Sequence, residues 1–187
     1  MISKIKLCFK HQTRIDRFKN IKFQSGINVV IGPNGSGKSS LLKAIVQCRD
    51  CKRSHDAVTK YHYFNSETMN PHRHSKYLKG VIGSVIKVRA MFSSHGETMR
   101  DVLRHFQFKP GDCFLLDEPE DGHDLQWIIR IYNGLKKINS LGCQVVVASH
   151  HPVFLKDSNI VELKRGYLKR IMKLMGEYTD GNSRKIK

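Results

Sequence analysis

At 187 residues, 40% of them hydrophobic and 26% charged, the chain has the length and composition of one globular domain with a substantial core. A formal net charge of +17, from 33 Lys and Arg against 16 Asp and Glu, favours nucleic acid or another polyanion as partner; the other outlets for such a charge are an acidic protein or plain solubility. The sequence has no run of 18 apolar residues, so no membrane-spanning helix is expected. Met1 to Lys6 lacks the apolar stretch of a signal peptide, and the odd number of cysteines, five, argues for reduced thiols, so a cytoplasmic location is expected.

Ile5, Leu7 and Phe9 alternate between Lys4 and Phe9, and Ile21 and Phe23 repeat the pattern, which predicts antiparallel strands with one wet face. Arg17 and Phe18 either pack on a bound base or belong to the core. Ile27, Val29, Val30 and Ile31 then read as a buried strand leading into Gly32-Pro33-Asn34-Gly35-Ser36-Gly37-Lys38-Ser39-Ser40, which fits G-x-x-x-x-G-K-[ST] at every fixed position. A polyphosphate needs several backbone N–H groups turned inward, and glycines allow so tight a curl. Asn34 to Ser40 are therefore the candidate nucleotide-binding residues, with Lys38 as a charge on the phosphates and the Ser39 hydroxyl as a hard ligand for Mg²⁺.

Leu41, Leu42, Ile45 and Val46 share a face of the following helix, which the polar cluster from Arg49 to His55 ends. Tyr61 to Phe64 is a short strand, and helices are predicted from about Ser75 to Met91 and again after Glu97, where Met99, Val102, Leu103 and Phe106 recur on one face. Residues from about 50 to 108 thus form a small helical insertion. Cys48 and Cys51 with His55, and His62, His72 and His74 beyond, offer ligand types for zinc, but a second pair at regular spacing is lacking.

After the turn at Pro110-Gly111, Cys113 to Leu116 is a continuous apolar run, as in a parallel strand covered on both faces. It ends in Asp117 and Glu118. Neighbouring side chains on a strand point opposite ways, so the two carboxylates have different tasks: one supports Mg²⁺ and the other polarises an attacking water. Leu125, Ile128, Ile129, Tyr132 and Leu135 form the stripe of the next helix, Cys143 to Ala148 is another buried strand, and Asn159 to Leu163 with Tyr167 to Ile171 reads as a terminal hairpin before a basic tail from about 172. Strands alternating with helices predict an α/β fold with a mostly parallel sheet and an antiparallel N-terminal layer.

The phosphate loop with Leu41 to Ile45, and a strand ending in Asp117-Glu118-Pro119, resemble the ABC-type ATPases, in particular the soluble SMC- and RecF-like branch and its small bacterial and viral ATPases without a long coiled coil. The resemblance covers roughly residues 20 to 165. It implies a single P-loop NTPase domain that binds ATP and Mg²⁺, with Lys38, Glu118 and His150 catalytic, Ser39 and Asp117 at the metal, and His150 as the γ-phosphate sensor. Asp124, in Asp121-Gly122-His123-Asp124, would lie at a subunit interface. Ser94 and Gly96 resemble the signature that a second subunit lends to the nucleotide, although Ser94-x-x-Glu97 is also a helix capping box. The glutamine usual after the second strand is missing, with Asn65 or Glu67 in its place. The implied function is an ATP-dependent homodimer acting on DNA in repair, recombination or virus-related processing, with a nuclease or other effector. A transporter ATPase subunit and a nucleotide-sensing regulator are the alternatives.

Overall fold

The computed structural model describes residues 1–15, 18–55, 60–65 and 109–183, the last six of these by backbone alone. In chain order the elements are β1 (Ile2–Lys6), α1 (Phe9–Arg14), β2 (Asn20–Lys22), β3 (Ile27–Ile31), α2 (Lys38–Gln47), β4 (Lys52–His55), β5 (Tyr61–Asn65), β6 (Cys113–Asp117), α3 (Leu125–Ser140), β7 (Gln144–Ala148), a 3₁₀ turn (Pro152–Leu155), β8 (Asn159–Glu162) and α4 (Tyr167–Ser183).

Among the described residues the strands form two sheets. β5-β6-β7-β3-β8 is parallel throughout, and β2-β1-β4 is antiparallel. The runs INVVI, CFLLD and QVVVA, each buried at every position, supply the three central strands of the parallel sheet. Their side chains alternate between two cores. Val30, Leu115 and Val146 face a cluster with Ile5 of β1 and Leu41, Leu42 and Ile45 of α2. Val29, Phe114, Leu116 and Val145 face the opposite cluster, with Ile128, Ile131, Leu135 and Ile138 of α3. This two-sided cover is what a purely parallel sheet requires. A fully buried Gln144 ties the layers together: its Oε1 accepts from the Ile2 N–H (2.7 Å), and its Nε2 donates to the carbonyls of Ile2 (2.8 Å) and Gln24 (2.9 Å).

Several elements depart from the sequence expectation. β1 stops at Lys6, Cys8 caps α1, and Phe9 is 82% exposed instead of continuing an alternating strand. The polar stretch Lys52–His55 is a strand because β1 offers it a free backbone edge; Lys52, Ser54 and His55 are exposed, and the half-buried Arg53 donates to the Ile45 carbonyl (2.6 Å). β4 and β5 both lie inside the predicted insertion yet belong to the two sheets; the helices expected near 75–91 and 97–106 lie outside the described residues. The stripe of α3 is rotated, with Ile131 and Ile138 buried and Leu125 (57%) and Ile129 (42%) exposed. The terminal hairpin is instead a parallel strand, β8 on β3, followed by a helix that extends to Ser183, well into the expected tail. Gly166 (φ 72°) makes the turn between them, and Leu168 packs against the core beneath α3.

Candidate functional site

Lys38, Ser39, Asn65, Asp117, Glu118 and His150 sit at the C-terminal edge of the parallel sheet, where strands hand over to loops, the usual place for a ligand in such folds. β3 leads into the phosphate loop, β5 ends at Asn65, β6 at Asp117, and β7 leads to Ser149 and His150. The loop has the backbone that its glycines predict. Gly35 (φ 77°) and Gly37 (φ 91°) are left-handed, and a Cβ on Gly37 would lie 2.6 Å from the Arg14 carbonyl oxygen. α2 begins at Lys38, so its free N–H groups and positive end face the loop. The cavity there, about 740 Å³, is lined by Asn34, Gly35 and Gly37 to Ser40, by Thr13 and Arg14 of α1, and by Glu118. Ser36 lies in the loop but its buried hydroxyl has no partner among the described residues.

The ammonium of Lys38 is 5% exposed, donates to the Gly32 carbonyl (3.3 Å), and lies 2.6 Å from His150 Nε2 and 4.0 Å from Glu118 Oε1. Burial lowers its pKa, and the Glu118 and Asp117 carboxylates work against that. His150 is also lowered, by burial first and then by Lys38, so its imidazole is neutral near pH 7 and Nε2 accepts from the ammonium. Its 3.5 Å approach to Glu118 Oε1 is then a polar contact between two acceptors that Lys38 bridges, and not an ion pair.

Asp117 is 1% exposed and shares out its two oxygens. Oδ1 accepts from Ser39 Oγ (3.0 Å); Oδ2 accepts from Asn65 Nδ2 (2.8 Å) and Tyr63 OH (3.2 Å). Burial raises the Tyr63 pKa, as does the neighbouring Asp117, keeping the hydroxyl a donor. Glu118 takes φ 50°, a left-handed backbone that costs a non-glycine residue about 1 kcal/mol or more and turns its carboxylate from the strand into the cavity.

The structure thus brings together Lys38, Ser39, Asp117, Glu118 and His150, and of the two stand-ins for the missing glutamine it places Asn65 on Asp117. Glu67, Ser94 and Gly96 lie outside the described residues. Asp124 caps α3, accepting from the Trp127 N–H (2.8 Å). Phe18 packs on the core, the second of its two expected roles, and Arg17 lies outside the described residues; Thr13 and Arg14 line the cavity. Glu120 went unread in the sequence. Its Oε1 accepts from Ser149 Oγ (2.5 Å) and the His150 N–H (3.0 Å), holding the loop that presents His150. An acidic residue two past the carboxylate pair was the only available signal.

The family model described as AAA domain matches residues 6–99, half of the chain. The chain is 27% identical over 182 residues to the zinc import ATP-binding protein ZnuC of Vibrio cholerae, covering 83% of this chain and 70% of that protein. It is 25% identical over 190 residues to the protein of the same name from Mannheimia succiniciproducens, covering 88% and 72%. Among solved structures, a post-hydrolysis dimer of an ATP-binding cassette bound to ADP and phosphate is similar at a TM-score of 0.47 and 17% identity, over 79% of this chain and 86% of that one. The chain belongs to the AAA domain family and is a small ABC-type P-loop ATPase.

Proposed function

We propose that Lys38, Ser39, Asp117, Glu118 and His150 carry out ATP hydrolysis within a nucleotide-closed dimer, and that the dimer drives a separate partner protein as the ATPase subunit of a transporter. The observation that carries the catalytic part is the convergence of a buried lysine, a hydroxyl, two carboxylates and a neutral imidazole beside a glycine-curled anion cradle. The cradle fits a triphosphate: its left-handed glycines turn N–H groups inward, and Lys38 and the start of α2 supply positive potential. The hydroxyl of Ser39 beside the Asp117 carboxylate fits Mg²⁺, a hard cation that takes oxygen ligands and, when bound, would neutralise charge on the transferring phosphoryl group.

In this reading Lys38 binds phosphate oxygens, Asp117 orients Ser39, and Asn65 and Tyr63 hold Asp117 in one orientation. Glu118, exposed to the cavity, accepts a proton from the attacking water. His150 fixes the Lys38 ammonium. Asn34 to Ser40 bind the nucleotide, while Ser94 and Gly96 complete the site of a second subunit and Asp124 lies near that interface. One ATPase domain accounts for the whole chain in this scheme.

The transporter partner is supported by the similarity to zinc import ATP-binding proteins along most of the chain. In this reading the ATPase works at the cytoplasmic side of a membrane. No helix among the described residues is long and apolar enough to cross one. A second reading, a clamp on DNA in repair or recombination, is favoured by the +17 charge and by the exposed Lys164, Arg165, Lys169, Arg170 and Lys173.

Light scattering on Glu118→Gln tests the scheme. The expected outcome is a dimer with Mg-ATP and a monomer without it; a monomer under both conditions overturns the dimer. Cell fractionation then separates the partners. Recovery in detergent extracts of membranes with an integral membrane protein supports the transporter, whereas salt-sensitive retention on duplex DNA supports the clamp.

A further inference from the structure

Four potential metal ligands converge away from the sheet edge, where α1 and α2 meet. Cys8 caps the start of α1 and His11 lies in its first turn; Cys48 caps the end of α2 and Cys51 precedes β4. Their ligand atoms all lie within 4.8 Å of one another. Cys8 Sγ is 3.1 Å from His11 Nδ1 and 3.9 Å from Cys48 Sγ, and Cys51 Sγ is 3.5 Å from His11 Nδ1. A tetrahedral zinc ion with Zn–S near 2.3 Å and Zn–N near 2.0 Å has S–S edges of about 3.8 Å and S–N edges of about 3.5 Å. These three edges match to within a few tenths of an ångström, and the remaining pairs lie within 4.8 Å.

We propose that Cys8, His11, Cys48 and Cys51 form a structural Zn²⁺ site. The sequence shows it as C-x-x-H and C-x-x-C separated by about forty residues, and the fold of β1, α1 and α2 brings the halves together. His55, the partner that the sequence suggested for Cys48 and Cys51, is exposed and pairs in β4 with Ile2.

Three thiols and one imidazole select zinc over oxygen-loving Mg²⁺ or Ca²⁺, and four protein ligands leave no open position, which marks the ion as structural. Binding converts three thiols to thiolates and releases their three protons to solvent, with no change of oxidation state. The Cys8 N–H already donates to Cys51 Sγ (3.3 Å), the kind of outer hydrogen bond that orients a ligating sulfur. A disulfide does not describe the cluster, since 3.9 Å between Cys8 and Cys48 is far beyond the roughly 2.05 Å of an S–S bond.

The ion would clip the start of α1 to the far end of α2. The opposite end of α1 already abuts the phosphate loop, where the Arg14 carbonyl blocks a Cβ on Gly37. The clip therefore fixes the arm that carries Thr13 and Arg14 into the cavity.

The test is the zinc content of the full chain purified under reducing conditions without chelator. About one zinc per chain is expected, falling at least tenfold in Cys48→Ser and unchanged in His55→Ala. Because a ligand variant can fail to fold, Co²⁺ is also titrated into chelator-stripped wild-type chain. A tetrahedral thiolate–cobalt absorption, saturating at one equivalent and erased by one equivalent of Zn²⁺, supports the site. A chain that is folded, zinc-free and silent to Co²⁺ overturns it, as does zinc retained by Cys48→Ser or recovery of a Cys8–Cys48 disulfide.

Discussion

Glu120→Ala removes the acceptor that holds two groups of the His150 loop, the Ser149 hydroxyl and the His150 N–H. Ser149 is 1% exposed, so its hydroxyl is left buried with one partner fewer, whereas the His150 N–H can turn to water. Hydrogen bonds to a charged acceptor contribute about 1.5–3 kcal/mol each, and the wetter of these two belongs at the bottom of that range or below it, giving about 3 kcal/mol for the pair. With a urea slope of about 2 kcal/mol per molar, the unfolding midpoint should fall by about 1.5 M. Loosening the loop also lets His150 leave Lys38, and a misplaced catalytic contact costs on the order of a hundredfold in rate. The assay pairs urea unfolding with steady-state ATP hydrolysis for wild type, Glu120→Ala and Glu120→Gln. The glutamine retains an acceptor oxygen at the same reach and should restore most of the midpoint and the rate. An alanine variant with wild-type midpoint and turnover would refute the argument. So would a glutamine variant as damaged as alanine, since the effect would then follow charge and not the positioning of His150.

Gly37→Ala combines a left-handed φ with a Cβ placed 2.6 Å from a backbone oxygen, so it should cost at least about 2 kcal/mol and weaken nucleotide binding, which calorimetry with a non-hydrolysable ATP analogue reads directly. Asn65→Ala leaves Asp117 with two of its three donors and should destabilise by about 2 kcal/mol, with Mg²⁺ dependence of hydrolysis shifted to higher metal concentration. His150 has a folded pKa below its ordinary 6.5, so the unfolded chain takes the proton first as pH falls. Its contribution to stability is therefore complete above about pH 6.5 and is lost below it, down through the lowered folded value. Unfolding midpoints between pH 8 and 5 should drop along this window less steeply in His150→Gln than in wild type, and equal slopes would contradict the assignment.

The parts legible in the sequence were those with local causes. Apolar runs, broken in β3 only by Asn28, marked β3, β6 and β7 because burial on both faces leaves no alternation to confuse with a helix. The placement of the phosphate loop and the Asp117-Glu118 pair was legible because each is marked by spacing along a few residues. What escaped depended on partners distant in sequence. Lys52–His55 has no strand signal of its own and is a strand through β1; Tyr167 onward carries apolar residues compatible with either a hairpin or a helix, and packing beneath α3 selects the helix. The cysteine pair at 48 and 51 was visible, but Cys8 and His11 become its neighbours only through the turn from β1 into α1.

Gln144 is a polar pin between the N-terminal layer and the parallel sheet. Its side chain grips Ile2 at the end of the parallel sheet farthest from the phosphate loop, while α1 lies one strand length away at the other end of β1. Five residues of strand span about 16 Å, and Ile5 and Leu7 are buried along that length, so the grip on Ile2 sets how far α1 reaches toward the cavity that Thr13 and Arg14 line. One buried amide at the blunt end of the sheet thereby sets the position of two side chains at its chemical end.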